Sequence, residues 1–258
     1  MNNLTITLVQ QDIYWEQTEA NLAAFEESLA NGESPADVYI LPEMFNTGFT
    51  MNVSLAEVMN SKTNRWMKQM AAQHQALFIG SLPVQGSGKV FNRLLVVKPE
   101  GETVYYDKKH LFSMSDEAKY YNPGNTRLTV EYKGWKICPL VCYDLRFPVW
   151  SRNNPKDPYD LLLYVANWPQ PRIKAWETLL QARAIENACY VAGVNRTGTD
   201  GQQLYYPGNS LIVDPKGNIV QRTGDQPMLA REELNAESLQ RFRDKFPVLA
   251  DADPYKLI

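Results

Sequence analysis

Several short apolar runs, two of them stopped by a reactive side chain, constrain this chain more than any other feature. Val38 to Leu41 (VYIL) runs into Pro42 and Glu43, and the largely apolar Trp135 to Val141 ends at Cys142; Leu161 to Ala166 (LLLYVA) is about the longest apolar run of all. Runs this short, bounded by turn signals, read as buried strands rather than as helices. A strand with no solvent face needs a layer packed on both sides. The chain is therefore expected to build covered sheets, with Glu43 at a strand's C-terminal end, where open α/β sheets tend to place their sites.

The rest of the pattern is mixed α/β. Leu4 to Gln10 alternates as a strand, and Asn21 to Asn31 follows as a helix with Leu22, Phe25 and Leu29 on one face before Gly32 stops it. A helix is expected over Val53 to Gln73, and strands over Ala76 to Leu82, Val90 to Lys98 and Glu102 to Asp107. An irregular stretch, Lys108 to Gly124, comes next; loops of that length inside compact domains are usually functional. Arg127 to Tyr132 and Trp135 to Val141 read as a hairpin. Asp160 to Ala166 and Cys189 to Asn195 read as strands around a helix over Lys174 to Asn187, with Trp176, Leu179 and Leu180 inward. Gly208 to Asp214 and Asn218 to Arg222 form a last hairpin before a helix near Ala236 to Lys245. Alternation of helices and strands, mixed with adjacent strands, points to two sheets packed together and covered by helices. No repeat, low-complexity tract or linker divides residues 1–258, so a single domain is expected.

Composition narrows the function. With 44 % hydrophobic and 21 % charged residues the chain suits a soluble globular protein, and a net charge of −3 provides no broad cationic field for nucleic acid or an anionic membrane. The start, MNNLTITLVQQD, lacks a secretory pattern, and no apolar run approaches the ~20 residues needed to cross a bilayer, so a cytoplasmic location is expected. The three cysteines, Cys138, Cys142 and Cys189, make no disulfide framework. Along a strand, Cys138 and Cys142 would lie roughly 13 Å apart at Cα, beyond disulfide reach. His74 and His110 are the only histidines and neither has ligand-like spacing, so no metal site is expected. Neither G-x-G-x-x-G nor G-x-x-x-x-G-K-[ST] occurs after a strand, and no nucleotide cofactor is expected.

Three expected strand ends carry reactive side chains: Glu43 in LPEMF, Lys108 in YDKKHLF and Cys142 in PLVCYDLRFP. Singly, each has an ordinary explanation. A lone buried cysteine is commonly inert packing, and a lone Glu or Lys is commonly a surface charge. Together they could form a nucleophilic centre without histidine. Glu43 would take the thiol proton and later activate water, while Lys108 balances negative charge and, with a backbone N–H beside Cys142, stabilises a tetrahedral oxyanion.

These motifs, in this order, resemble the nitrilase (carbon–nitrogen hydrolase) superfamily, and specifically its omega-amidase branch. The resemblance runs from the first strand to about Asp214 and is most evident in CYDLRFPVWSRN, YVANWP and QARAIENACYV. It implies a four-layer αββα sandwich, a Glu–Lys–Cys triad, no cofactor, and a homodimer built by extending the sandwich. The family pattern K-x-H-L selects Lys108 over Lys109. A second family glutamate before a P-G turn matches Glu117 in DEAKYYNPG, where it is expected to orient substrate and Lys108. The implied reaction is hydrolysis of a small-molecule amide, a short dicarboxylate monoamide such as 2-oxoglutaramate or 2-oxosuccinamate, through a cysteine thioester. A nitrilase or N-carbamoyl hydrolase of the same family, and a catalytically silent binding protein that keeps the fold, are the competing readings. The chain departs from the usual pattern at Gly208-Asn209-Ser210, where family members often carry an acidic residue.

Around the triad, Phe49, Tyr143 and Trp168 are candidates to line the substrate pocket, with core packing as the alternative. Arg172, in NWPQPR, is the first candidate to meet a substrate anion. Arg146 is the second, although a carboxylate pair holding the loop after Cys142 would also account for it. Cys138 and Cys189 are expected to pack, His74 to lie on a helix surface and His110 to serve as a structural hydrogen-bonding residue.

Overall fold

Two six-strand paths organise the computed structural model, which describes residues 2–32 and 34–253. The first sheet has the order Met228–Leu234, Leu4–Gln10, Val38–Ile40, Leu77–Gly86, Lys89–Val97, Thr103–Asp107, and the short Glu57–Val58 also pairs with Leu77–Gly86. The second has the order Ile219–Arg222, Leu211–Val213, Tyr190–Asn195, Leu161–Ala166, Trp135–Val141, Val130–Tyr132. The central strands of both sheets are parallel and the outer ones antiparallel.

Period-two alternation sorts the side chains between layers. Leu4, Ile6, Leu8, Leu94 and Val96 join Ile137, Leu140, Leu163 and Ala192 in one core that spans the two sheets. Their neighbours Val9, Leu95 and Val97 point the other way and pack with Leu22, Phe25, Met67 and Met70 from helices Thr18–Ala30 and Lys62–His74. Helix Ile173–Asn187 covers the second sheet through Trp176, Leu180 and Ala184, while Leu179 stays only partly buried. The layer order is helix, sheet, sheet, helix, the expected αββα sandwich.

Several elements differ from the pattern read in the sequence. Val53 to Gln73 is not one helix: a 3-10 turn, Val53–Leu55, and the strand Glu57–Val58 precede helix Lys62–His74. Asn60 takes a left-handed φ of 63°, and the Glu57 carboxylate accepts the Thr63 N–H at 2.8 Å, which starts the helix there. The Lys108 to Gly124 stretch contains a short helix, Glu117–Tyr120. Gly208 lies outside the last hairpin, whose first strand is Leu211–Val213. Met228–Leu234 is an edge strand with only Ala230 and Leu234 fully buried, and a small hairpin pairs Thr197–Thr199 with Tyr205–Pro207; neither shows in the apolar pattern.

Parallel strands deliver the chemistry to one place. Glu43 follows Val38–Ile40, Cys142 follows Trp135–Val141, and Asn167 follows Leu161–Ala166, whose Val165 pairs with Val141. Lys108 follows Thr103–Asp107 on the first sheet. Gly124 passes close behind it: its N–H donates to the Lys108 carbonyl at 2.9 Å, and a Cβ there would lie 2.2 Å from the Asp107 carbonyl oxygen.

Candidate active site

Glu43 and Lys108 are not surface charges; both side chains are 0 % exposed. Lys108 Nζ lies 2.9 Å from Glu43 Oε1, and 3.0 and 2.9 Å from Oε1 and Oε2 of Glu117. Burial alone would favour a neutral amine. The carboxylates of Glu117 and Glu43 more than reverse this and hold Lys108 above the ordinary lysine range. Glu117 is itself pushed upward by burial, with Lys108 opposing and Glu43 reinforcing the shift. Its Oε2 also accepts the Phe112 N–H at 2.6 Å, so the loop before it is tied to the same carboxylate.

Glu43 is fastened from both sheets. Its Oε1 accepts from Asn92 Nδ2 at 2.8 Å as well as from Lys108, and its Oε2 accepts the Asn167 backbone N–H at 2.9 Å. Asn167 Nδ2 donates to the Glu43 carbonyl at 2.6 Å. The next residue, Met44, takes a left-handed φ of 44°, and its N–H is caught by Ser81 Oγ at 2.9 Å. The turn that aims Glu43 is thus held by named bonds rather than by propensity.

Cys142 opens the 3-10 turn Cys142–Arg146 with a φ of 43°, a conformation costing a non-glycine residue roughly 1–3 kcal/mol. Asp144 holds that turn. Its Oδ2 accepts from Tyr106 Oη at 2.7 Å and from the Val141 N–H at 3.1 Å, and its Oδ1 accepts the His110 N–H at 3.0 Å with His110 Nδ1 2.8 Å away. The His110 ring stacks on Phe147 with centroids 3.7 Å apart, in keeping with a structural role. Cys142 Sγ lies 3.9 Å from the Asn167 carbonyl oxygen. Burial, then the nearby Glu43 carboxylate, push the thiol well above its usual range, and Lys108 offsets only part of this. This favours the protonated thiol, from which a base must take the proton as the sulfur attacks. Cys138 and Cys189 are fully buried, free and pushed upward by the same desolvation, as packing residues should be.

A cavity of about 490 Å³ opens on these groups. Glu43, Lys108 and Cys142 line it, and so do all five residues expected around the substrate: Phe49, Tyr143, Arg146, Trp168 and Arg172. Glu117 is not part of the wall and meets Lys108 from behind. Phe49 sets its ring 5.1 Å from Lys108 Nζ. The Arg146 guanidinium lies 5.0 Å from the Trp168 ring centroid and that of Arg172 lies 5.1 Å from Phe112. Among the described residues neither arginine pairs with a carboxylate, so the carboxylate partner considered for Arg146 is not found. Also among the described residues, no group of three or more His, Cys, Asp or Glu side chains is placed to hold a metal ion, and no helix is long and apolar enough to cross a membrane.

Asn92, Asn167, Asp144 and Asn195 escape the sequence reading. Asn195 braces Trp168, accepting its N–H at 2.7 Å and donating to its carbonyl at 2.9 Å. Ser210, at the point where the chain departs from the family pattern, donates to Gln10 Oε1 at 2.7 Å and accepts the Asn195 N–H at 3.0 Å, so the departure falls in a buried network behind Trp168. The one available signal was a polar residue inside or ending an apolar strand, as in FNRLLVV and YVANWP.

Comparisons with known proteins agree with this geometry. The sequence profile of the carbon-nitrogen hydrolase family matches residues 5–244. The omega-amidase YafV of Escherichia coli strain K12 is 47 % identical over 259 aligned residues, which cover 100 % of each chain. The 2-oxoglutaramate amidase of Bacillus subtilis strain 168 is 34 % identical over 96 % of each. A CN-hydrolase superfamily protein from Xanthomonas campestris, solved with an arsenic adduct in its active site, is 42 % identical, has a TM-score of 0.97 and covers 100 % of both chains. With profile, relatives and fold in accord across its length, the chain belongs to the carbon–nitrogen hydrolase family.

Proposed function

We propose that this hydrolase is an omega-amidase, converting short dicarboxylate monoamides such as 2-oxoglutaramate and 2-oxosuccinamate to the 2-oxo acid and ammonia. The observation that carries the reading is one cavity in which Cys142 and Lys108 share the wall with two arginines that have no carboxylate partner among the described residues. An uncharged amide leaves both guanidiniums unpaired, whereas a monoamide of a dicarboxylic acid brings an anion for them at the end opposite the amide. The names of the relatives in Escherichia coli and Bacillus subtilis support the same substrate class.

Cys142 is the nucleophile and Glu43 the general base. Glu43 takes the thiol proton as Sγ attacks the amide carbon, because the site pushes the Cys142 thiol well above its usual range and so favours the protonated form. Lys108 Nζ and a backbone N–H beside Cys142 stabilise the oxyanion. Glu43 returns the proton to the leaving nitrogen, ammonia departs, and a thioester remains on Cys142. Water then gives a proton to Glu43 and attacks the thioester carbon; collapse releases the acid and restores the thiol. Glu117 keeps Lys108 charged and in place. Arg172, with Arg146 beside it, takes the distal carboxylate, and Phe49, Tyr143 and Trp168 wall the pocket. The same proposal takes residues 1–258 as one domain and the enzyme as a cytoplasmic homodimer, as the family resemblance implies.

Ammonia release from 2-oxosuccinamate, compared with an uncharged amide of similar length, tests the reading. A large preference for the acid-bearing amide is expected, and equal kcat/KM would refute it. Nitriles and ureido acids belong in the same panel, since preference for either would favour the nitrilase or N-carbamoyl hydrolase reading. No release from any of them would leave a silent binding protein.

A further inference from the structure

Asn92 is fully buried in the strand Lys89–Val97, among the apolar residues of VFNRLLVV. Its carbonyl accepts the Lys108 N–H at 3.0 Å. Its side-chain nitrogen donates to Glu43 Oε1 at 2.8 Å and to Glu117 Oε1 at 3.3 Å. Both partners are carboxylate oxygens, so only one orientation of the amide fits, with its NH2 toward them. Among the described residues no donor reaches the opposite oxygen, Oδ1. An apolar side chain branched at the same carbon, such as leucine, would pack there without an unpaired carbonyl, so packing does not account for the asparagine.

Charge does account for it. Glu43 and Glu117 bring −2 and Lys108 brings +1, a sum of −1 carried by three side chains that are each 0 % exposed. Such an excess drives one carboxyl to bind a proton unless further donors favour the charged form, and burial already pushes Glu117 in that direction. One amide NH2 supplies a hydrogen to each carboxylate. On Glu43, Oε1 is then occupied by Lys108 at 2.9 Å and Asn92 at 2.8 Å. Oε2 holds the Asn167 N–H at 2.9 Å and only a long contact of 3.4 Å from Asn167 Nδ2. A carboxylate oxygen has about two acceptor sites, so Oε2 is the one with room for a proton.

We propose that Asn92 is a positioning residue that keeps Glu43 and Glu117 both ionised around Lys108 and leaves Glu43 Oε2 free to take the Cys142 proton. The inference rests on Glu43 as the base and is independent of which amide is the substrate. The other titratable groups facing the pair are Cys142, Tyr121 and Tyr206, all pushed above their ordinary values chiefly by burial. Lys108 is held charged. None of these four changes charge on the acid side of neutrality. His110 with Asp144, and Asp116 and Asp200 on the cavity wall, are further ionisable groups near the site, and the Asn92 side chain bonds none of them, so an acid limb in kcat/KM that moves when Asn92 is changed reports the two glutamates.

Removing a donor to the charged form raises a carboxyl pKa, which moves that limb to higher pH. Profiles of kcat/KM for Asn92→Leu and Asn92→Asp, taken with any amide the wild type cleaves, read this directly. In Asn92→Leu the limb should move up by about one pH unit or more, a loss of about tenfold on the limb that recovers as pH rises. Asn92→Asp, which swaps the donor for another acid, should move it at least as far. A folded variant that loses rate with its limb unmoved would overturn the proposal, because lost packing scales the profile without shifting it. Infrared spectroscopy of the wild type needs neither substrate nor variant folding for its first result. No buried protonated-carboxyl band is expected at neutral pH, and a band there that disappears in Glu43→Gln or Glu117→Gln would overturn it as well. If dicarboxylate monoamides prove not to be substrates, both measurements still decide this point.

Discussion

Replacing Lys108 with methionine separates the electrostatics of the site from its chemistry. Methionine keeps most of the stem's length and packing, so the change removes the charge and its N–H donors. In the wild type Nζ is 2.9 Å from Glu43 and from Glu117, with every side chain involved 0 % exposed. Without it two carboxylates remain in a closed space, and breaking a buried pair in this way costs about 3–5 kcal/mol. At about 2–4 °C per kcal/mol for a chain of this size, Tm should fall by roughly 6–20 °C near neutral pH. The deficit has a sign in pH. In the variant both carboxyls have folded pKa values above their unfolded ones, so the folded state binds more protons and stability returns as pH falls toward the unfolded carboxyl range. The wild-type lysine makes no matching trend there. Its folded pKa is raised, so its contribution is fully present below the unfolded value of ~10.4 and is lost only above it. Melting curves for both proteins at about pH 7 and about pH 5 read the difference, and the gap should narrow at the lower pH. Turnover, measured where the variant is folded, should drop by about 10²–10³-fold through loss of the oxyanion donor. A gap that is equal at both pH values would refute the electrostatic reasoning, and a folded variant keeping more than about a tenth of wild-type turnover would refute the catalytic role.

Cys142→Ala should abolish ammonia release while preserving the far-ultraviolet dichroism, since a thiol-to-methyl change removes the nucleophile and little volume; activity in a well-folded variant would sink the thioester mechanism. Arg172→Met should raise KM for 2-oxosuccinamate by about ten- to a hundredfold at nearly constant kcat, the signature of a lost anchor worth roughly 1.5–3 kcal/mol. If that variant is silent and Arg146→Met shows the effect, the anion belongs to Arg146; if both are silent, the distal-carboxylate reading fails.

Strands buried on both faces were legible because such positions admit little but apolar side chains. Leu161–Ala166 is buried at every position, and its sequence says so directly. Met228–Leu234 was not legible for the complementary reason. As an edge strand it buries fully only Ala230 and Leu234, and its antiparallel pairing with Leu4–Gln10 is made by backbone groups that leave no trace in residue type. The break before helix Lys62–His74 was hidden similarly, because Asn60 in a left-handed conformation and a Glu57 side-chain bond to the Thr63 N–H interrupt a stretch whose composition alone permits a helix throughout.

The same division runs through the site. Glu43, Lys108 and Cys142 could be read because each ends a strand and carries a reactive group of its own. Asn92, Asn167 and Asp144 carry none, and they acquire a role only from distant partners. Asn92 joins two glutamates from separate segments, Asn167 reaches across from the second sheet to Glu43 on the first, and Asp144 gathers Tyr106 and His110 beneath the Cys142 turn. Base and lysine thus ride on one sheet, and nucleophile and Asn167 on the other. The core between the sheets therefore sets the separation of Glu43 from Cys142, with the bonds from Asn167 as the cross-tie. Apolar residues such as Ile6, Ile40, Leu140 and Leu163, remote from the chemistry in type, act on it through that spacing, because a packed interior transmits small shifts rather than absorbing them.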